Sequence, residues 1–399
     1  MIRVGLSTLA LWALVFLLHG KTAARLLPLV AEADDVLLAA DTRKGLDAIA
    51  HPSDAAISDK HPLHPPLMGG LVEVTRAVFD LDFREAVTTS LALVAATITA
   101  LVFLTLLAIG AGGPGNASVP MNAATACGLA LVHALFNANL VYFSIPDTYG
   151  LSAAFVALFF LLLARLGSAP SVKRMTGLGL LGGTAALVNA PLLGLLLPLF
   201  VHLALARGVR RASKHVLPAA LAAVFLFTGT HLALHGTGFL HKFAGLSRLY
   251  GDLSHFVQPA AVADGLAGFL LLSVVSPLTT LPEPGSMLSA SALPLYAGNP
   301  LGAAALALHL AALVAAAIVF MRRRAPPLCV AALSWILLLL VFYVWYHPPE
   351  ALLFSPQITG PLVLVTASAV ATRRTIVQGV WLFAQIPLLA WVNLSAILT

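Results

Sequence analysis

The run AVTTSLALVAATITALVFLTLLAIGA, residues 86–111, decides the class of this chain. Not one of its residues is charged. A helix needs about 20 apolar residues to cross the hydrocarbon of a bilayer, and this run supplies them without a break. The rest of the chain repeats the pattern. Its 399 residues are 60% hydrophobic and 10% charged, with a mean hydropathy of +0.96. A soluble domain carries about 25% charged residues. Spans are expected at residues 3–19, 86–111, 122–143, 149–166, 176–189, 191–206, 215–234, 301–321, 328–346, 357–372 and 376–397. The fold class is therefore all-α, a polytopic transmembrane helical bundle of about eleven spans. Residues 1–399 form one integral membrane domain with no soluble appendage.

Met1-Ile2-Arg3 ahead of an apolar run resembles a signal peptide. Leu17-Leu18-His19-Gly20-Lys21 offers no small-residue cleavage site, so an uncleaved first span is expected. Cys127 and Cys329 lie in apolar runs and read as small core residues, not as a disulfide or metal pair. A pI near 9.6 here concerns orientation, and no nucleic-acid partner is expected. No internal repeat and no nucleotide-binding glycine motif is visible. The glycines at 177, 179, 182 and 183 read as packing residues for the short spans 176–189 and 191–206.

With Arg3 on the inner side, inner connections hold Arg165, Lys173 and Arg174; Arg207, Arg210, Arg211 and Lys214; Arg322 to Arg324; and Arg373 and Arg374. All 16 Asp and Glu then fall on the outer side or at its edge. That sorting matches the positive-inside rule. Residues 262–281 are apolar and long enough to span, but a span there would put Arg322 to Arg324 outside. The segment, within an outer loop at 236–300, is expected at the outer interface or as a re-entrant element.

Ionisable residues gather in the polar island of residues 31–70, inside a first outer loop at 20–85 expected to form short interfacial helices. Asp34 and Asp35 follow the first span closely. A carboxylate there can act as a base on a hydroxyl, or simply cap a helix. Lys60-His61-Pro62-Leu63-His64-Pro65-Pro66-Leu67 is stiffened by its prolines. It presents Lys60, His61 and His64 either to a phosphate or as a plain turn. Two histidines three apart lack a third metal ligand, so no metal site is expected.

Two further outer turns carry polar groups. Asp147, in Phe143-Ser144-Ile145-Pro146-Asp147-Thr148-Tyr149, is a helix cap or a functional acid. His347 and Glu350 lie in Tyr346-His347-Pro348-Pro349-Glu350, ahead of Ser355-Pro356-Gln357. The outer stretch 236–258 adds His241, Lys242, Arg248, Tyr250 and His255. It offers a lipid phosphate or polyanionic acceptor a basic surface, or is solvated interface. Within the spans, His133, Asn137, Asn139, His202 and His309 read as helix–helix hydrogen-bonding groups.

The layout resembles the GT-C membrane glycosyltransferases: a first span, Asp34-Asp35, an outer loop ending in His64-Pro65-Pro66-Leu67, then a multi-span bundle. The His64–Leu67 run is similar to the first-loop motif of protein O-mannosyltransferases. Pro146-Asp147-Thr148 resembles the acidic turn of related lipid-linked sugar transferases. Pro349-Glu350-Ala351-Leu352-Leu353-Phe354-Ser355 resembles the late outer loop of bacterial GT-C proteins.

The resemblance implies a polyprenyl-phosphate sugar donor, reaction on the outer face and transfer with inversion. Asp34 or Asp35 would be the base, Asp35 the favoured one, and Lys60, His61 and His64 would handle donor phosphate or acceptor. The donor lipid is a substrate, no cofactor is implied, and a divalent-metal requirement stays open. A soluble sugar-binding insertion is missing and an Asp-Glu pair is replaced by Asp-Asp. A glycan or lipid acceptor in a bacterial envelope is thus as compatible as a protein one. The expected location is a bacterial inner membrane with the site facing the exterior. The rival readings are a transporter or flippase of envelope lipids, and a non-catalytic envelope-assembly subunit.

Overall fold

The computed structural model describes residues 2–31, 42–51, 61–110, 121–166, 170–238, 250–280, 288–322, 325–370 and 375–398, with 244, 245 and 248. Every regular element among them is helical. In chain order they begin with α1 (Ile2–Val30), α2 (Thr42–Ala50), α3 (His64–Phe79), α4 (Phe83–Gly110), α5 (Ala123–Ala134), α6 (Asn137–Tyr142), α7 (Thr148–Ala164) and α8 (Val172–Val188). Then come α9 (Leu196–Arg207), α10 (Val209–His235), α11 (Pro259–Leu266), α12 (Pro300–Met321), α13 (Pro327–Tyr346), α14 (Ala351–Phe354), α15 (Pro356–Val370) and α16 (Thr375–Leu398).

Among the described residues, 7 helices are long and apolar enough to cross a membrane, or up to 8 if the pair Pro348–Phe354 and Pro356–Val370, bent by 75°, is one span. This is the architecture of an integral multi-pass membrane protein.

The helices differ from the expected spans in instructive places. Helix α1 does not stop near residue 19 but runs on to Val30. His19, Thr22, Ala23, Leu26, Leu27 and Val30 are buried, while Lys21 and Arg25 are exposed. The helical apolar stripe thus continues beneath the charges that suggested an end. The span expected at 122–143 is two helices, α5 and α6, broken between Ala134 and Asn137. Helices α7 and α8 have 17 residues each, about 25 Å, against a hydrocarbon core of roughly 30 Å.

Helix α8 is short but tightly held. A Cβ on Gly179 would stand 2.1 Å from the Ala219 carbonyl oxygen, and one on Gly183 2.8 Å from that of Ala223. The helices α8 and α10 therefore run parallel in backbone contact, a small-xxx-small pairing. Gly177 and Gly182 meet nothing within 4 Å and play no part in it.

Residues 262–281 do not form one continuous helix. Helix α11 passes into a π turn, Ala267–Leu272, and the chain at 273–280 is irregular. Phe269, Leu272, Val274 and Val275 are nevertheless fully buried. Non-helical backbone at membrane depth must find its hydrogen bonds within the protein. It finds them at the break between α5 and α6. The Asn137 and Ala138 N–H groups donate to Val274 O (3.2 Å) and Ser273 O (2.9 Å).

Asn393 of α16 closes the junction. Its amide nitrogen donates to Leu135 O (2.7 Å) and Val274 O (2.8 Å), and its oxygen accepts from Ser276 N–H (2.8 Å). Asn137 Nδ2 donates to Leu272 O (2.9 Å) and the Tyr296 hydroxyl to Val275 O (2.6 Å).

The charged residues separate along the bundle. The start of α7 and the end of α8 both border residues 61–64, since His64 lies against the Asp147 backbone and Leu63 N–H donates to Leu187 O. Arg165, Lys173 and Arg174 thus lie at the opposite end, and the parallel α10 brings Arg210, Arg211 and Lys214 there too.

Candidate active site

Three chain segments far apart in sequence build one corner at the end of the bundle that holds Asp147. The first is the turn after α6. The Asp147 carboxylate accepts from the Thr148 N–H and hydroxyl, so it caps α7. The turn is seated on α2: a Cβ on Gly45 would fall 1.9 Å from the Pro146 carbonyl oxygen. Only glycine allows that approach. Helix α2 is tied in turn to the end of α1, where the Thr42 hydroxyl donates to Val30 O (3.0 Å).

The second segment is His61 to Leu67. Pro65 and Pro66 occupy the first turn of α3, where a missing N–H costs nothing. The His64 N–H donates to His61 O (3.0 Å). The His64 ring is 1% exposed and lies against the Asp147 backbone and near His61. Burial, reinforced by His61 and only partly opposed by the Asp147 backbone, lowers its pKa to about 3. His64 is therefore a neutral imidazole at pH 7, a hydrogen-bonding group and not a cation.

The third segment is the corner after α13. His347 breaks the helix with extended backbone, and Pro348–Glu350 forms a 3-10 turn before α14. His347 Nδ1 stands 3.6 Å from a Glu350 carboxylate oxygen, and its ring meets Tyr250 edge-on at 5.3 Å. Burial first, and His255 second, lowers the His347 pKa.

The corner is braced from behind. A Cβ on Gly265 would reach Val344 at 2.4 Å, and one on Gly268 would reach Ala351 and Leu352 at 2.7 Å. From the other side, Asp252 N–H and His255 Nδ1 contact Trp345 O at 3.0 and 3.1 Å.

An aromatic wall joins the first and the third. Tyr149 sits 6.2 Å from Tyr142 and 5.5 Å from Phe354, which stacks on Tyr343 at 3.9 Å. Both Asp147 and Glu350 lie within electrostatic reach of Tyr142 and of Tyr149. Beneath this wall His19 approaches the Ser144 hydroxyl (3.2 Å). The Thr359 hydroxyl lies near His133 Nε2 (3.3 Å) and donates to Asn139 Oδ1 (2.9 Å).

Of the expected site residues, His61, His64, Asp147, His347 and Glu350 thus border one corner. Arg248 is exposed in the stretch leading to Tyr250. Asp34, Asp35, Lys60 and Lys242 lie outside the described residues. The two ends of the stretch holding Asp34 and Asp35 meet at the Thr42–Val30 hydrogen bond, beside the same turn.

Sequence reasoning passed over Gly45, Tyr142 and Tyr343, which no motif marks, and gave no role to Tyr149 or Phe354 within the turns that contain them. Among the described residues no group of three His, Cys, Asp or Glu converges as metal ligands. The corner combines two carboxylates, neutral imidazoles and aromatic faces. Such a set can accept a proton from a hydroxyl, donate N–H to phosphate or sugar oxygens, and stack on a pyranose ring. Compared with models of known protein families and with curated protein sequences, the chain matches none.

Proposed function

We propose that this protein is a GT-C-type membrane glycosyltransferase that moves a sugar from a polyprenyl-phosphate donor to an acceptor hydroxyl, with inversion. The observation that carries the reading is the corner itself: Asp147 and Glu350, from separate segments, lie near the same tyrosines, with His64 against the Asp147 backbone and His347 beside Glu350. An outer carboxylate takes the acceptor proton, with Asp34 or Asp35 as the base by resemblance and Asp147 and Glu350 close to the aromatic wall. Positive charge developing on the sugar is stabilised by carboxylates, and the phosphate leaving group by N–H donors. In this reading Lys60 and the imidazoles receive the phosphate, while Lys242 and Arg248 flank the lipid approach.

The chain then crosses the membrane about eleven times, with the corner on the outer face of a bacterial inner membrane. Cysteine labelling beside Arg322 from the cytoplasmic side tests that topology; labelling from outside only would overturn it. For the chemistry, membranes holding the wild type should move radiolabel from a polyprenyl-phosphate sugar into acceptor. Full transfer by every one of Asp34→Asn, Asp35→Asn, Asp147→Asn and Glu350→Gln would sink the reading.

The rival with a structural observation behind it is a transporter, because broken helices meet inside the bundle at residues 134–137 and 272–276. There, however, Asn137, Asn393 and Tyr296 cover the local carbonyls. That leaves them committed to holding the fold.

A further inference from the structure

The opposite end of the bundle is rich in positive charge. From residue 148 to residue 251 the sequence contains no Asp or Glu. The same stretch places Lys173 and Arg174 in the first turn of α8, Arg207 at the end of α9, and Arg210, Arg211 and Lys214 in the first two turns of α10. The register of α8 on α10, Gly179 on Ala219 and Gly183 on Ala223, sets Arg174 at the height of Lys214 but on the far side of the pair, so Arg210 and Lys214 share the outward face of α10 without it. Arg207 turns inward to His215 Nε2 (3.0 Å). Lys173, Arg174, Arg210, Arg211 and Lys214 are exposed.

The surface above these cations is apolar and equally exposed. Along α10 the positions 210, 214, 217, 221 and 225 follow one helical face. Leu217, Leu221 and Phe225 on that face are 57%, 63% and 82% exposed. From Lys214 to Phe225 the face rises about 16 Å, close to the length of a fatty acyl chain. Charge at the foot of an apolar stripe of that length has the shape and chemistry of one phospholipid: anionic phosphate below, acyl chain above.

We infer that the exposed face of α10 forms a binding site for an anionic phospholipid, its phosphate held by Arg210 and Lys214 and its acyl chain lying along Leu217, Leu221 and Phe225. Cations at a membrane surface attract acidic lipids residue by residue. The exposed stripe is what selects a lipid over a free anion. The site lies at the far end from the candidate active site, and its occupancy does not depend on the reaction proposed there.

The test is native mass spectrometry of the full chain released from nanodiscs of phosphatidylcholine doped with phosphatidylglycerol. The wild type should retain phosphatidylglycerol in preference to phosphatidylcholine. Arg210→Gln with Lys214→Gln should lower that retention about tenfold or more. The charge-preserving pair Arg210→Lys with Lys214→Arg should keep it, which separates lost charge from lost fold. Arg322→Gln, at a different helix end, should leave it unchanged. Millimolar inorganic phosphate should not displace the lipid. Equal retention of the two lipids, full retention by the Gln pair, or displacement by phosphate would each overturn the proposal.

Discussion

Two polar regions interrupt the apolar bundle, and they are built in opposite ways. At the junction of residues 134–137, 272–276 and Asn393, amides and carbonyls are matched partner to partner, at 2.7–2.9 Å for the side-chain amides. At the corner of His64, Asp147 and Glu350, like groups are crowded: two carboxylates share the neighbourhood of the same tyrosines, and two histidines stand together. A saturated network fixes structure, since each member would be costly to leave unpaired in a low-dielectric interior. The corner is bonded differently: Asp147 caps α7 and Glu350 faces His347, so its charged groups are held by local turns and remain beside one another. The difference separates framework from candidate chemistry without appeal to any relative.

The largest effect that could break this contrast is catalytic. Asn caps a helix as well as Asp does. Asp147→Asn therefore removes charge and keeps the cap on α7, so stability should move by less than about 1 kcal/mol. If Asp147 serves in proton transfer, labelled-sugar transfer should fall about 10²–10⁴-fold. A matched loss of stability and activity would instead return Asp147 to the framework.

Next in size is the junction. Asn393→Leu strips partners from Leu135 O, Val274 O and Ser276 N–H at once. It should cost about 3–5 kcal/mol, read as a shift in detergent unfolding. A shift under about 1 kcal/mol would mean the junction is not saturated in the sense argued.

A smaller effect concerns pH. The folded His64 value of about 3 lies below the unfolded value of 6.5, so the unfolded chain binds more protons between them. The stability held by this group is complete above pH 6.5 and is lost as pH falls toward 3. Acidifying from pH 7 to 4.5 should cost about 2–3 kcal/mol more in the wild type than in His64→Gln. Parallel pH curves would show that the imidazole is solvated.

The smallest expected change is at Gly45, where alanine overlaps the Pro146 carbonyl. A cost of about 1–3 kcal/mol, with lowered transfer, would tie α2 to the corner; an unaffected variant would detach it.

Much of this was legible in the sequence. Hydropathy alone marks α4, α12 and α13, because each is apolar on every side. The end of α1 was not, since Lys21 and Arg25 look like a boundary until the buried row His19, Thr22, Leu26 and Val30 is seen beneath them. The break at residues 135–136 was equally hidden. Its cause is Val274 and Asn393, residues far along the chain. Asp147 could be read as a cap from its place before Thr148, and it is one. That it lies near the same tyrosines as Glu350 had no local signal.

The sequence by itself determined the solvent of this protein. Hydropathy is a sum over residue types and does not need to know which helices touch. Only the tertiary structure decided that His61, His64, Asp147, His347 and Glu350 border one corner, and that α8 and α10 bring their cations to the same end. Those facts rest on contacts between distant segments, set by where glycine lets backbones meet: Gly45 on Pro146, Gly268 on Ala351, Gly179 on Ala219.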